Sequence, residues 1–458
     1  MNTIEAKDKK YIWHPFTQMQ EWVESPQTVI TAAKGITLYD TEGKTYYDGV
    51  SSLWVNIHGH QRAEINQAII EQLGKTAHTT ALGLANVPAS ILAEMLVEAA
   101  PEGLKKVFYS DDGATAVEVA LKMAFQYWQH RGKREKTRFI ALDNAYHGDT
   151  IGSVSVGGVD LFHRIFQPLL FEPYHIPSPS FYHSSMKTET EFTAYCLDAL
   201  EMLLKEHHTE IAGLIIEPLV QAAAGMLMSP KGYLSGVRRL TKEYDVLLIA
   251  DEVATGFGRT GRMFACENEA VRPDLMCVSK GITGGYLPLA ATLATDEIYN
   301  AFWGTMAEKK TFYHGHSYTA NQLGCAAGIA SLEIFAKDHV IDGLQAKIAC
   351  IDKMLQDIKS LPHVGDARQC GMIVGIELIL DKGKKIPYDW TQTMGAIVCM
   401  KAREHGLFIR PVGDVIVFMP PLCSTEAEIK IMLDITKRAI IEITELGQSA
   451  ASGGGAHF

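Results

Sequence analysis

An acid and an amine stand at the ends of two apolar runs that suit neighbouring strands. The run 246–250 ends at Asp251, and the run 275–278 is followed by Lys280. The spacing of 29 from Asp251 to Lys280 is long enough for the chain to leave the sheet and return once, which brings both side chains to the same edge of a sheet. Pyridoxal phosphate (PLP) chemistry requires a lysine amine and a carboxylate against the pyridine nitrogen. The pattern therefore indicates a PLP site, and a pair of solvated charges at strand ends is the structural alternative.

A phosphate-binding turn is predicted where a strand passes into a helix after Ser110. Backbone N–H groups of Gly113 and Ala114 can donate to a phosphate, assisted by the helix dipole. Thr115 and Glu118 have the spacing of a capping box, so we expect the helix to begin at Thr115. A plain β–α turn with an N-cap is the alternative interpretation.

Two further strand ends carry side chains that suit a flat, ring-shaped ligand. Tyr146 follows the run 139–142 and can stack on an aromatic ring. Glu217 ends the run 213–216 and can form a hydrogen bond near such a ring. Each also has a structural interpretation, Tyr146 as a half-buried core aromatic and Glu217 as a structural carboxylate.

Two other patterns suggest different chemistry. Gly256-Phe-Gly-Arg-Thr-Gly261 matches the GxGxxG motif of dinucleotide-binding proteins and favours an NAD-dependent oxidoreductase. However, acidic residues immediately before it would face a pyrophosphate, and no helix pattern opens at its last glycine. The spacings His58-x-His60 and His314-x-His316 suggest a metal, but neither has a third ligand at a recognisable spacing, so we expect no metal site.

The elements that must position these residues alternate along the chain. Continuous runs of four or five apolar residues suit strands buried on both faces of a mostly parallel sheet. Helical patterns separate these runs and favour an α/β domain over residues 61–335. Alternation within residues 37–47 predicts a hairpin that turns at Glu42-Gly43. Beyond residue 336 the patterns predict α+β structure, with helices at 343–361 and 393–405 and strands at 372–380 and 415–418.

Composition excludes several classes of protein. The chain has 458 residues, 47% hydrophobic and 21% charged, which is an ordinary globular composition. Its net charge of −11 argues against nucleic-acid binding, which needs clustered Lys and Arg. The eight cysteines form no CxxC pair, and the sequence shows neither an apolar leader nor an apolar run of ~18 residues. We therefore expect reduced thiols, a cytoplasmic location and no membrane association.

Longer segments around these residues resemble the signature of the class III PLP-dependent aminotransferases. The matching segments are 247–261, 273–275 and 279–285, and residues 311–319 with Asn321 resemble that family's second phosphate-binding segment. The resemblance covers nearly the whole chain. It implies the α/β fold of PLP-dependent transferases, fold type I, and an obligate homodimer with shared active sites.

That fold has a large domain with a mainly parallel seven-stranded sheet and a smaller α+β domain from both chain ends. The resemblance thus divides the chain into a large PLP-binding domain at 61–335 and a smaller domain at 1–60 and 336–446. The last residues, 447–458, are small and polar without a pattern, so we predict a flexible tail there.

The resemblance also implies roles for individual residues. Lys280 is the catalytic lysine, Asp251 binds the pyridine nitrogen, and Arg410 pairs with the far carboxylate of the keto acid. The implied cofactor-binding residues are Gly113, Ala114, Tyr146, Glu217, Asp251, Val253, Lys280 and, reaching the neighbouring subunit's cofactor, Ser317. The implied substrate-binding residues are Phe16, Trp54, Tyr146, Gly315 and Arg410.

Other segments resemble the subgroup that forms 7,8-diaminononanoate in biotin biosynthesis, namely 13–19, 51–60, 145–150, 410–413 and 419–421. This resemblance implies transamination of 8-amino-7-oxononanoate, with S-adenosylmethionine or L-lysine as the amino donor. Phe16 replaces the tyrosine of many S-adenosylmethionine users, and Leu53 replaces a second tryptophan, so L-lysine stays open as the donor. The nearest alternative is another class III ω-amine transaminase. A PLP-fold protein that only binds ligands and the NAD-dependent oxidoreductase are alternatives of other classes.

Overall fold

The computed structural model describes residues 3–446, and the predicted tail at 447–458 lies outside them. The strands are β1 Ile30–Lys34, β2 Thr37–Asp40, β3 Thr45–Asp48, β4 Leu104–Ser110, β5 Arg138–Leu142, β6 Tyr174–Ile176, β7 Ile211–Ile216, β8 Val220–Gln221, β9 Leu227–Met228, β10 Leu247–Asp251, β11 Leu275–Val278, β12 Ala290–Thr295, β13 Val364–Cys370, β14 Ile373–Leu378, β15 Leu407–Phe408, β16 Arg410–Val412 and β17 Val415–Phe418. The helices are α1 Thr3–Tyr11, α2 Met19–Glu24, α3 Ser51–Trp54, α4 Ala63–Leu73, α5 Val87–Ala99, α6 Gly113–His130, α7 Ile151–Ser155, α8 Asp160–His163, α9 Glu189–His207, α10 Tyr233–Glu243, α11 Asp296–Ala301, α12 Gln322–Lys337, α13 Leu344–Lys359, α14 Met394–Glu404 and α15 Glu426–Ile441.

The chain divides into two compact units. Within the described residues, the smaller unit comprises 3–54, 58–62 and 344–446, and the larger unit comprises 55–57 and 63–343. The sequence placed the end of the large domain at 335, whereas α12 continues to Lys337 and the larger unit ends at Gly343.

The larger unit is built on a seven-stranded sheet, counted over residues 3–446, with the order β4-β12-β11-β10-β7-β5-β6. β12 is antiparallel to both of its neighbours, and the other neighbouring pairs are parallel. β7, β10 and β11 are buried along their whole length, as their continuous apolar sequences predict. The predicted α/β fold with a mainly parallel sheet is confirmed.

Helix α6 packs on this sheet through an apolar stripe with helical spacing. Ala120, Ala124 and Trp128 belong to the same buried cluster as Ile215 and Ile249 of the sheet. Burial of such a stripe is the main source of stability for an amphipathic helix. The packing holds the N-terminus of α6 at a defined place beside the ends of the strands.

The predicted start of α6 was wrong. The helix begins at Gly113, and Asp112 is its N-cap, whose carboxylate accepts a hydrogen bond from the Thr115 N–H at 2.8 Å. Thr115 completes the capping box by accepting from the Asp112 N–H at 3.1 Å. Glu118 instead accepts hydrogen bonds from the Thr150 hydroxyl and the Gly152 N–H. The carboxylate of Glu118, which the sequence assigned to the helix cap, is therefore used in a tertiary contact.

The smaller unit contains two four-stranded sheets among the described residues, β1-β2-β3-β15 and β13-β14-β17-β16. β2 and β3 pair antiparallel around the turn at 41–44, so the predicted hairpin is confirmed. β13 was not predicted, because its sequence is polar. Arg368 on this strand instead pairs with Glu377 of β14 at 2.7 Å and with Asp366 at 3.1 Å.

Two global expectations can be compared with the structure. The eight cysteines are all unpaired, as predicted for reduced thiols. Of the helices between residues 3 and 446, none combines the length and apolar character needed to cross a membrane.

Candidate active site

The carboxyl ends of four neighbouring strands bring the predicted cofactor residues together. Asp251 ends β10, and Lys280 follows β11, with Asp251 in register with Cys277 of the neighbouring strand. Glu217 follows β7, the neighbour of β10 on its other side, and Tyr146 follows β5. Open α/β sheets bind ligands at this edge. The fold therefore collects an amine, two carboxylates and an aromatic ring at one place.

Asp251 is buried and has two hydrogen-bond partners. One oxygen, Oδ2, lies 2.7 Å from His147 Nδ1, and the other accepts from the Val253 N–H at 3.1 Å. The ring of His147 is also buried, and its Nε2 has no hydrogen-bond partner among residues 3–446. A buried acid whose two oxygens are oriented in this way is suited to accept a hydrogen bond from a protonated ring nitrogen.

Glu217 is the second buried carboxylate at this edge. It accepts hydrogen bonds from the Tyr146 N–H at 3.0 Å and from the Ala222 N–H at 2.9 Å. The pKa of Glu217 is raised to about 7, chiefly by burial, with His147 opposing the shift and Asp251 adding to it. The Glu217 side chain thus fixes the backbone of Tyr146. With a pKa of about 7, its carboxyl group titrates near neutral pH.

Lys280 has a backbone and an environment unusual for lysine. Its φ of +47° lies in the left-handed region, which a residue with a Cβ adopts only at a cost of about 1–3 kcal/mol. Burial lowers the pKa of its amine, and the charge of Arg259 lowers it further, whereas Asp251 and Glu217 raise it. The net direction favours the neutral amine, which is the nucleophilic and proton-accepting form.

The turn before α6 has the shape of an anion site. The first N–H groups of a helix, here those of Gly113 and Ala114, have no acceptor within the helix. A Cβ at Gly113 would lie 2.6 Å from Val253 Cγ1, and a Cβ at Gly148 would lie 2.4 Å from Ala114 Cβ. Glycine at both positions therefore allows the neighbouring segments to pack closely beside these N–H groups, where a larger residue would clash.

Tyr146 is held from both ends. Its N–H is bound by Glu217, and its hydroxyl donates to Asp149 Oδ2 at 2.7 Å. Its ring lies edge-on to Phe162 with centroids 6.2 Å apart. Burial raises the pKa of Tyr146, so its hydroxyl stays a donor.

Two predicted residues lie in the segment 311–319 of the larger unit. Ser317 is exposed, and its carbonyl accepts a hydrogen bond from His78 Nε2 at 2.7 Å. Gly315 has a φ of +155°, and a Cβ there would lie 3.8 Å from Thr319 Oγ1, an ordinary van der Waals contact. No contact between Ser317 and Lys280 or Gly113 is seen among the described residues.

The remaining predicted residues belong to the smaller unit. Trp54 is buried and has a φ of +63°, in a turn whose Ser51 and Ser52 also have positive φ. Arg410, on β16, is partly buried and makes no ion pair with any carboxylate among residues 3–446. Burial lowers the pKa of its guanidinium. Phe16 has a φ of +50° and is half exposed.

Sequence reasoning missed three residues of these sites. His147 entered the sequence analysis only as part of the segment 145–150, although it pairs with Asp251, and Asp149 was not assigned to Tyr146. In the smaller unit, fully buried Asp48 accepts from the Ser52 N–H at 2.7 Å and so supports the strained turn before Trp54. A histidine directly after a candidate stacking tyrosine was the available signal, since imidazole is a frequent partner of buried carboxylates.

The structure does not support the two competing motifs. Residues 256–261 form turns and a bend, and they do not connect a strand to the start of an α-helix. The structural context of a dinucleotide-binding motif is therefore missing. His60 pairs with Asp48, and His316 lies 3.7 Å from Asp111. Between residues 3 and 446 no group of three potential metal ligands is found.

Comparison with known proteins agrees with this geometry. The profile described as "Aminotransferase class-III" matches residues 18–440. The chain belongs to the class III aminotransferase family. A relative from Geobacter sulfurreducens, named adenosylmethionine-8-amino-7-oxononanoate aminotransferase, is 52% identical over 96% of this chain and 98% of its own. A Staphylococcus aureus protein of the same name is 46% identical over 96% of this chain and 98% of its own.

Solved structures show the same relationship for this class III aminotransferase. The crystal structure of the enzyme of that name from Methanocaldococcus jannaschii is 49% identical, has a TM-score of 0.92 and covers 96% of this chain and 99% of that one. An ω-transaminase from Pseudomonas jessenii in complex with PMP is 29% identical, with a TM-score of 0.94 over 98% of this chain and 100% of that one. The family therefore implies PLP.

The residues of this class III aminotransferase fit that cofactor. A flat pyridine with a phosphate arm needs an acid for the ring nitrogen, donors for the phosphate and an amine for the aldehyde. Asp251, the N-terminus of α6 and Lys280 are groups of these three kinds at one sheet edge. The buried Nε2 of His147, which has no hydrogen-bond partner among residues 3–446, is consistent with an edge that receives a polar ligand.

Proposed function

We propose that this class III aminotransferase transfers an amino group to 8-amino-7-oxononanoate, forming 7,8-diaminononanoate for biotin biosynthesis, with PLP as its cofactor. The observation that carries the proposal is the match, across nearly the full length of both chains, to relatives of that name at 46–52% identity. The amine and acid on adjacent strands support the chemistry. S-adenosylmethionine is the proposed donor because the relatives' name contains it, and L-lysine is the alternative.

Cofactor binding is assigned to residues of the larger unit. Asp251 would hold the protonated ring nitrogen, supported by His147, and Tyr146 would stack on the ring. Gly113, Ala114 and, reaching the neighbouring subunit's cofactor, Ser317 would donate to the phosphate, with Val253 and Glu217 shaping the walls. When bound, PLP supplies an electron sink for negative charge at the carbon that carries the transferred nitrogen.

Lys280 moves the protons of the reaction. Because burial lowers the pKa of its amine, Nζ would be the group that holds the cofactor's aldehyde carbon, and as a neutral amine it would accept a proton from the substrate carbon. The same Nζ would deliver that proton again within the same half-reaction, and it would carry out both transfers in reverse order once the keto acid is bound. The strained backbone at Lys280 holds its Cα in a fixed orientation while the side chain moves between these tasks.

Each proposed substrate-binding residue is assigned by its own surroundings. Arg410 has a partly buried guanidinium with no carboxylate of its own, so we assign it the far carboxylate of the keto acid. Trp54 supplies apolar contact for the chain of methylenes, and Phe16 supplies apolar contact for the amino donor. Tyr146 and Gly315 complete the proposed substrate contacts, with the hydroxyl of Tyr146 oriented by Asp149.

A homodimer is part of the proposal. Large apolar side chains stay exposed on the larger unit, among them Leu82, Trp303 and Met306, and burial between two copies would remove them from water. Light scattering of the purified protein should give twice the monomer mass, and a monomer at micromolar concentration would contradict the shared site. We place the enzyme in the cytoplasm, in keeping with eight unpaired cysteines, and cell fractionation tests this.

The test is amino transfer by the purified, PLP-loaded protein. We expect 7,8-diaminononanoate to form from 8-amino-7-oxononanoate with S-adenosylmethionine or with L-lysine, and the two donors are compared in parallel reactions. Lys280→Ala should abolish turnover while circular dichroism stays unchanged. Lys231→Ala, at an exposed lysine of the same unit, is the matched control. Transfer from neither donor would refute the proposed substrate pair.

A second candidate is a general ω-amine transaminase. The observation that favours it is the TM-score of 0.94 to the Pseudomonas jessenii ω-transaminase. Simple ω-amines with pyruvate as acceptor, in the same assay, separate the two candidates. Faster turnover with those substrates than with 8-amino-7-oxononanoate would favour this second function.

A further inference from the structure

Three side chains near the N-terminus form a cluster that we call the Asp8 clamp, consisting of Asp8, His14 and Trp22. The carboxylate of Asp8 on α1 accepts a hydrogen bond from Trp22 Nε1 on α2 at 2.9 Å. The same carboxylate lies 3.0 Å from His14 Nε2. The His14 ring packs on the Trp22 ring with centroids 4.2 Å apart. One acid thus joins two helices and the segment between them.

The segment that the clamp encloses is strained. Phe16 has a φ of +50°, and a bulky residue persists in this region only where its surroundings over-determine the backbone. Within the segment itself, the Thr17 hydroxyl donates to the Pro15 carbonyl at 2.8 Å. His14 and Trp22 lie on either side of Phe16 in sequence and are both anchored on Asp8, so the clamp supplies that constraint from both ends.

The enclosed rings point away from the core of their unit. Trp13 is 87% exposed and Phe16 is 55% exposed. Core packing therefore does not account for their position, and the polar clamp behind them does. Apolar rings held outward by a partly buried polar anchor have the arrangement of a contact surface for a ligand.

We infer that Asp8, His14 and Trp22 are positioning residues that hold Phe16 in its place against the amino donor. The inference rests on the proposed function, which assigns Phe16 to the substrate. The clamp affects binding of the donor and not the chemical step, because a pre-organised contact lowers the entropy lost on binding and does not touch the reacting atoms. Its loss should therefore affect the KM for the donor more than kcat.

The experiment compares Asp8→Asn with Glu24→Gln, which changes an exposed carboxylate on α2 that accepts only a local bond from Gln20. For Asp8→Asn we expect a KM for the donor about tenfold higher with kcat within about twofold, since a charge-assisted anchor is lost. Glu24→Gln should match the wild type. The clamp should also protect the segment from chymotrypsin cleavage after Trp13 and Phe16 in the holoenzyme, and Asp8→Asn should speed that cleavage.

A double-mutant cycle decides whether the clamp acts through Phe16. In a Phe16→Leu background, Asp8→Asn should raise the KM no further, because coupled residues are not additive. Three results would each overturn the inference. Asp8→Asn could speed cleavage without changing the KM, or it could weaken the dimer in place of raising the KM. The third is an additive effect of Asp8→Asn and Phe16→Leu on the KM. A wild-type enzyme without transfer from any donor would instead overturn the proposed function itself.

Discussion

Lys136 offers the sharpest test of how the larger unit is held together. Its side chain is 3% exposed, and its Nζ donates to the carbonyls of His208, Ile211 and Asp245 at 2.9, 3.0 and 2.7 Å. The amine also lies 4.4 Å from the centroid of the Trp128 ring. These carbonyls lie at or just before the starts of β7 and β10, and Lys136 itself precedes β5. One ammonium therefore ties three neighbouring strands at the edge opposite to the active site.

The substitution Lys136→Met keeps most of the apolar stem and removes the three donors. Each carbonyl left without a partner costs roughly 1 kcal/mol or more, and the lost cation–π contact costs roughly another 1 kcal/mol. Because burial lowers the pKa of Lys136 to about 8, its ammonium carries a desolvation cost that methionine avoids. We therefore expect a net loss of ~2–4 kcal/mol in the free energy of opening these strand ends.

Hydrogen exchange measures this opening directly. Amides at the starts of β5, β7 and β10 should exchange about 30- to 1,000-fold faster in Lys136→Met, since each tenfold change corresponds to about 1.4 kcal/mol. Lys133→Met is the matched control, because Lys133 lies 5.0 Å from the same Trp128 ring, pairs with Asp245 and is 44% exposed. We expect a change below about 1 kcal/mol for this surface pair. Equal effects of the two substitutions would refute the role of the buried carbonyl contacts.

Three further predictions concern the site edge. His147→Gln should lower turnover about 10²-fold or more while the thermal midpoint changes little, because Asp251 loses its orienting partner. His175→Gln, at an exposed histidine, is its control, and activity of His147→Gln within twofold of the wild type would contradict the role. Since the folded pKa of Glu217 is raised to about 7, its stabilising contribution is complete below about 4.5 and is lost as the pH rises through about 7. Glu217→Gln should therefore flatten the fall in thermal midpoint between pH 5 and 8, and an unchanged pH profile would contradict it. Asp112→Ala removes the N-cap of α6 and should cost about 1 kcal/mol in urea unfolding, and an unchanged midpoint would argue against the capping box.

Local sequence predicted much of the fold because burial on both faces of a strand leaves a continuous apolar run. The runs that became β7, β10 and β11 were recognised for this reason, as was the hairpin at 41–44 from its alternation and its glycine. β13 could not be predicted in this way, since its polar residues are stabilised by the pairing of Arg368 with Glu377 on another strand.

The amino-acid sequence alone determined the family, the α/β class and the residue types needed for the chemistry, because these depend on local patterns and on motifs that are contiguous in the chain. Tertiary structure decided the partners. It paired His147 with Asp251, and it paired Glu118 with Thr150 instead of with the helix cap. Such pairs join residues on different elements, and their hydrogen bonds depend on strand order and helix packing, which a linear pattern does not contain.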